Sequence, residues 1–132
     1  MYALKRNLAG LLAVVALVIA PWSAQAAPQS PFNEQVFSAA QEAGKPVLIE
    51  IHADWCPTCK AQLPILDKLS GEPPYSGIER MRVDFDSQKN LAKRFKATTQ
   101  STLVLYKGKT EVARSVGETD EGRLRAMLGK AR

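Results

Sequence analysis

The chain has 132 residues, 45% of them hydrophobic and 23% charged, with a formal net charge of +5. That is the size of one small domain carrying its own core, with too little chain for two. The basic residues fall as single charges on helical faces (Lys89, Lys93, Arg94, Lys96; Arg123, Arg125, Lys130), with no basic stripe interleaved with aromatics. They read as solvated faces and give a nucleic-acid partner no support.

The first 26 residues carry the pattern of a cleavable export signal. Lys5 and Arg6 form a positive start, Leu8 to Ala20 is an apolar stretch short for a bilayer, Pro21 breaks it, and Ala24-Gln25-Ala26 offers small residues for cleavage. The well-formed Ala-x-Ala site favours cleavage over the alternative of an uncleaved N-terminal anchor. The expectation is residues 1–26 as signal peptide and 27–132 as one domain, soluble and periplasmic or otherwise exported. Losing Lys5 and Arg6 lowers the formal charge from +5 to +3.

Residues 28–31, Pro-Gln-Ser-Pro, read as a short linker. Phe32, Val36, Phe37 and Ala40 then predict a helix with these residues on one side, stopping at Gly44 before Pro46. The run from Val47 to Ala53 predicts a buried strand. A helix follows from about Cys56 to Leu69, with Leu63, Leu66 and Leu69 at helical spacing, Pro57 in its first turn and Pro64 kinking it. Gly71 to Gly77 is a loop by composition, and Ile78 to Phe85 a second strand.

Ser87 is expected to cap the next helix, marked by Leu91, Ala92 and Phe95. Thr102–Tyr106 and Glu111–Val116 flank Lys107-Gly-Lys-Thr110 as a β-hairpin. Thr119-Asp-Glu121 opens a last helix with Leu124, Met127 and Leu128 inward. The order α-β-α-β-α-β-β-α gives a β-α-β crossover before an antiparallel hairpin. The expected fold is α/β, a central mixed four-stranded sheet flanked by helices.

The only two cysteines lie three apart, in Trp55-Cys56-Pro57-Thr58-Cys59, where the first strand hands over to its helix. Open α/β sheets place their chemistry at that carboxyl edge. Unpaired N–H groups and the dipole at a helix start favour thiolate over thiol. As a structural staple the pair would close a loop of only four residues, for roughly 2 kcal/mol in the chain-entropy picture. The pair therefore reads as a redox-active disulfide. Cys56, nearer the helix end and expected to be the more exposed, is the attacking thiolate; Cys59 resolves the mixed disulfide. No further cofactor is implied.

A second reading uses the same pair to hold a soft cation such as Cu(I) or zinc. His52, the sole histidine, lies four residues before Cys56. A structural zinc wants a fourth ligand that the sequence does not supply, so His52 reads as an ordinary neighbour and no metal ligand is assigned. Lys60 adds positive charge beside the pair.

Trp55-Cys56-x-x-Cys59-Lys60, Pro64 five residues on, Asp86 at the end of the next strand, and Leu103–Tyr106 spaced ahead of Val116-Gly117 together resemble the thioredoxin superfamily over the whole domain. Ala53-Asp-Trp-Cys-Pro57 looks closest to its exported members. The resemblance implies a thioredoxin-like fold with the active site at the N-terminus of the second helix, and a thiol–disulfide oxidoreductase. Its partners would be protein thiols and disulfides, and a membrane disulfide reductase or oxidase, with the protein itself a monomer. It also implies that Glu50, in an apolar strand, takes the proton of Cys59, burial raising its pKa. Trp55, Pro57, Thr58, Ser101 and Thr102 would form the substrate surface.

Three residues depart from the family pattern. Pro57-Thr58 stands between the cysteines in place of Gly-Pro. Glu50 stands for an aspartate. Gln100-Ser101-Thr102 stands for X-Pro-Thr, which puts Ser101 where the family has a cis-proline. Without proline the Gln100–Ser101 peptide is expected to be trans. The small hydroxyl is expected to lie against Cys56 and to leave room beside the sulfurs, which gives the metal reading some weight.

Overall fold

The computed structural model describes residues 28–132; the expected signal peptide lies outside them. Five strands form one mixed sheet: β1 (Ser30–Pro31), β2 (Pro46–His52), β3 (Glu79–Asp84), β4 (Thr102–Lys107) and β5 (Thr110–Val116), in the order β1-β3-β2-β4-β5. β2 is central, parallel to β3 and antiparallel to β4. The four expected strands are present, and the fifth corrects the linker reading. Ser30 and Pro31 pair with Met81 and Arg82 of β3. Proline survives there because at an edge its missing N–H leaves no ladder bond open.

Side-chain alternation along β2 divides the core. Val47, Ile49 and Ile51 pack with Phe37 of α1 (Glu34–Glu42) and Ala92 of α3 (Lys89–Arg94). Leu48 faces the opposite layer, with Leu66 and Leu69 of α2 (Pro57–Ser70) and Leu124 and Leu128 of α4 (Glu121–Gly129). Asn33 caps α1 by accepting the Val36 N–H at 3.0 Å, so the helix begins after Phe32 and turns Val36 outward, 45% exposed. The expected one-sided stripe therefore reduces to Phe37 and Ala40. Ser87 is not a helix cap either: its N–H and hydroxyl both donate to Asp84, closing a turn before α3 starts at Lys89.

Within the layer facing α2 and α4 lies a charge network that hydrophobic patterning could not announce. Arg80 of β3 is 1% exposed. Its Nε donates to Glu50 Oε1 at 2.6 Å, its Nη2 to Glu50 Oε2 at 3.2 Å and its Nη1 to Asp67 Oδ1 on α2 at 2.7 Å. Gln29 also donates to Glu50. The fork of the guanidinium thus joins β2, β3 and α2.

Removing one partner of a buried pair strands the other charge, so Arg80→Ala should destabilise the protein by about 3–5 kcal/mol. Replacing both Glu50 and Arg80 with leucine should recover most of that loss. Urea unfolding of the two variants checks this, and a near-neutral Arg80→Ala would contradict the burial of the pair.

Candidate active site

Cys56 ends the extended segment after β2 and is the N-cap of α2 (φ −78°, ψ 112°). Its Sγ accepts the Cys59 N–H at 3.1 Å, the place a serine or aspartate oxygen takes in an ordinary cap. Pro57 occupies the first helical turn, where an N–H would have no partner. A sulfur in this position is worth more to the helix as an anion than as a thiol.

Ser101 completes the pair. Its Oγ lies 3.1 Å from Cys56 Sγ and 3.1 Å from Cys59 Sγ. A hydroxyl has one proton and two lone pairs, so it can donate to a Cys56 thiolate while accepting from a Cys59 thiol. The loop lies against the sulfurs as expected, and no peptide bond among the described residues is cis. Ser101 sits instead at φ 60°, left-handed backbone uncommon for a residue with a Cβ. Three contacts hold it there. The Ser101 carbonyl accepts from Gly117 N–H at 3.0 Å and from Gln62 Nε2 at 3.4 Å, and Gln62 Nε2 also donates to Glu118 O at 2.8 Å.

The two thiols are unequal. Burial pushes the Cys56 thiol up, but hydrogen bonds from Cys59, from the Ser101 hydroxyl and from the Cys59 and Thr58 N–H groups outweigh it, leaving Cys56 below the ordinary thiol range. Burial and then the adjacent Cys56 push Cys59 above it. Exposure does not distinguish them: Cys56 is 2% and Cys59 3% exposed, against the expectation of a more accessible Cys56. The Ser101 hydroxyl lies equally near both sulfurs, so the asymmetry comes from the cap, which favours the Cys56 anion, and from burial, which disfavours the Cys59 one.

The other expected residues are distributed around this centre. Trp55 is 57% exposed, its Nε1 donating to Asp86 Oδ2 at 2.7 Å. Pro57 is exposed and Thr58 half-buried. Thr102 is turned inward, 1% exposed, its hydroxyl donating to Thr99 O at 2.8 Å, so its side chain is not offered to a substrate. Exposed Val116 pairs with Thr102 in the ladder. Glu50 is buried as expected, but engaged by Arg80. Burial pushes its carboxyl up and the Arg80 hydrogen bonds pull it back, leaving it above its usual range.

Among the described residues no group of three His, Cys, Asp or Glu side chains converges to hold a metal. His52 is buried with Nε2 3.3 Å from Asp54 Oδ1, and burial lowers its pKa. The space expected beside the sulfurs is filled by the Ser101 hydroxyl itself.

Comparison with known proteins agrees with this geometry. The thioredoxin family model matches residues 24–130. The chain belongs to the thioredoxin family. It is 38% identical over 84 residues to a thioredoxin of Chlamydia trachomatis, covering 64% of this chain and 80% of that one. It is 33% identical over 88 residues to thioredoxin C-2 of Corynebacterium nephridii, covering 66% of this chain and 80% of that one. Among solved structures, Trxlp from Edwardsiella tarda EIB202 is similar with a TM-score of 0.73 and 40% identity, over 76% of this chain and 98% of the other. The protein is thus a thiol–disulfide oxidoreductase with a redox-active Cys-x-x-Cys pair, of a family that acts on protein disulfides.

Two participants escaped the sequence reading. Gln62 shares the inward stripe of α2 with Cys59, Leu66 and Leu69, and that spacing was its only signal. Arg80 had none, because an arginine in a strand ordinarily points to solvent.

Ser101→Ala removes a donor to the Cys56 anion, so Cys56 should need a higher pH to react. Iodoacetamide labelling against pH, in variants retaining Cys56 alone, should show the Ser101→Ala midpoint displaced upward. An unmoved midpoint would separate the hydroxyl from the thiolate.

Proposed function

We propose that the protein is an exported thiol–disulfide exchanger in which Cys56 is the nucleophile and Cys59 the resolving thiol. The observation that carries this assignment is the Cys56 sulfur serving as the helix cap, with the lower pKa of the pair. The Cys56 thiolate attacks one sulfur of a substrate disulfide; that S–S bond breaks, a Cys56–substrate disulfide forms, and the departing thiolate takes up a proton. Cys59, deprotonated, then attacks the Cys56 sulfur. The second substrate thiolate leaves, the Cys56–Cys59 disulfide remains, and two electrons have passed to the substrate. A dithiol donor, such as the exposed pair of a membrane disulfide reductase, returns the site to the dithiol. Run backwards against a membrane oxidase, the same steps oxidise substrate dithiols.

Glu50 is assigned the Cys59 proton, relayed by water. A carboxylate has about four acceptor positions. Arg80 and Gln29 use three of them, which leaves one for that relay. Trp55 and Pro57 form the exposed face on which the substrate chain lies, with Ser101 at its floor and Thr58 at its edge. The signal pattern in residues 1–26 supports export, with a mature chain starting at Ala27 that works as a monomer.

Cys56→Ser should abolish insulin-disulfide reduction, whereas Cys59→Ser should trap substrate as a mixed disulfide on Cys56, visible by non-reducing electrophoresis. Trapping through Cys59 would reverse the assignment. Glu50→Gln should slow turnover by up to about 10²-fold and remove one limb of the pH–rate profile; an unchanged profile would exclude Glu50 as the base. Mass spectrometry of protein recovered from the periplasm should give a chain beginning at Ala27, and an intact Met1 would contradict the export reading.

A further inference from the structure

Next to the cysteines is a second surface that the redox cycle does not use. An open groove of about 510 Å³ runs beside α3. Its floor is apolar, formed by Phe85, Ala92 and Ala97, and its rim carries Lys89, Lys93 and Lys96. Lys89 and Lys93, four residues apart, share one side of α3, and Lys96, in left-handed backbone just past its C-cap, lines the same groove. All three are exposed, and among the described residues none of them forms a salt bridge, whereas Arg94 of the same helix pairs with Glu34. Glu111, the carboxylate whose charge reaches Lys96, is paired with Arg114, while Asp84 accepts from Ser87 and Asp86 from Trp55.

Phe85 connects this groove to the chemistry. It packs against the Ala53–Cys56–Cys59 cluster as well as the core beneath α3, so one aromatic ring is a shared wall between the groove and the site of the sulfurs. A chain engaged at Cys56 therefore has a continuation of itself within reach of the groove.

We propose that the groove is a docking site for an acidic segment of the substrate protein, an apolar side chain against Phe85, Ala92 and Ala97 with flanking Asp or Glu side chains against the three lysines. Charge complementarity selects this occupant: three unpaired cations around an apolar floor repel a basic segment and leave an uncharged one without its polar contacts. A nucleic acid would want an exposed aromatic face to stack a base, and the floor presents only part of one ring. The location beside the redox pair rests on the proposed function; the docking itself does not.

The test follows amide shifts of the ¹⁵N-labelled protein on titration with a cysteine-free peptide of leucine flanked by glutamates, and with its lysine-flanked counterpart. The glutamate peptide should move the Phe85, Ala92 and Ala97 signals and bind at least about tenfold more tightly than the lysine peptide, with the gap narrowing in high salt. Combined Lys89→Gln, Lys93→Gln and Lys96→Gln should erase the preference while the far-UV spectrum stays unchanged. Equal binding of both peptides, or a preference surviving in the triple variant, would overturn the proposal. So would shifts induced only by phosphatidylglycerol vesicles, which would make the groove a membrane contact. Disulfide-linked versions of the peptides add an activity readout. If neither is reduced, the redox reading fails and the docking result stands; if both are reduced equally and bound equally, the docking proposal fails alone.

Discussion

One guanidinium joins the strand that leads to the cysteines and the helix that begins at them. Glu50 stands on β2 and Asp67 on α2, and Arg80 holds both at once from β3. The turn carrying Cys56 bridges the end of that strand and the start of that helix, so its geometry is set by how firmly the two are held. The pair is not there for stability in the simple sense, since a buried ion pair can often be replaced by packed apolar groups without loss. What the guanidinium supplies is one buried junction between β2, β3 and α2.

On that frame the chemistry is local and economical. A sulfur takes the part of a capping oxygen, so the same hydrogen bond that starts α2 stabilises a Cys56 thiolate. The Ser101 hydroxyl is equidistant from both sulfurs and can turn to donate to either. Gln62 holds the loop that carries Ser101, which ties that hydroxyl to the same helix as the cysteines. Trp55 and Val116 are large apolar side chains left exposed.

Much of this was legible in the sequence because local pattern and tertiary outcome agree. The run Val47-Leu-Ile-Glu-Ile51 could only be an interior strand, and the Cys-x-x-Cys with Pro57 and Pro64 located the helix start and its interior proline. The Ser101 loop could be placed against the sulfurs because β4 follows it at once. What was not legible came from contacts between distant residues. The Ser30–Pro31 edge strand depends on β3 offering a free side, and two residues carry no periodicity. Arg80 is defined by a carboxylate thirty residues away. The equal burial of the cysteines depends on a loop some forty-two residues downstream. The lysines of α3 looked like solvated charges until the sheet placed Phe85 beneath them.

The left-handed backbone at Ser101 constrains how this sequence can change. Glycine and asparagine reach φ near 60° with little difficulty, whereas proline is fixed near −65°. A single codon change toward the proline of the family pattern would thus break the conformation that Gln62 and Gly117 maintain. The loop, Gln62 and the 117–118 turn form one mutational unit. Exchanging Ser101 for proline alone therefore asks the backbone for a φ that this loop does not hold.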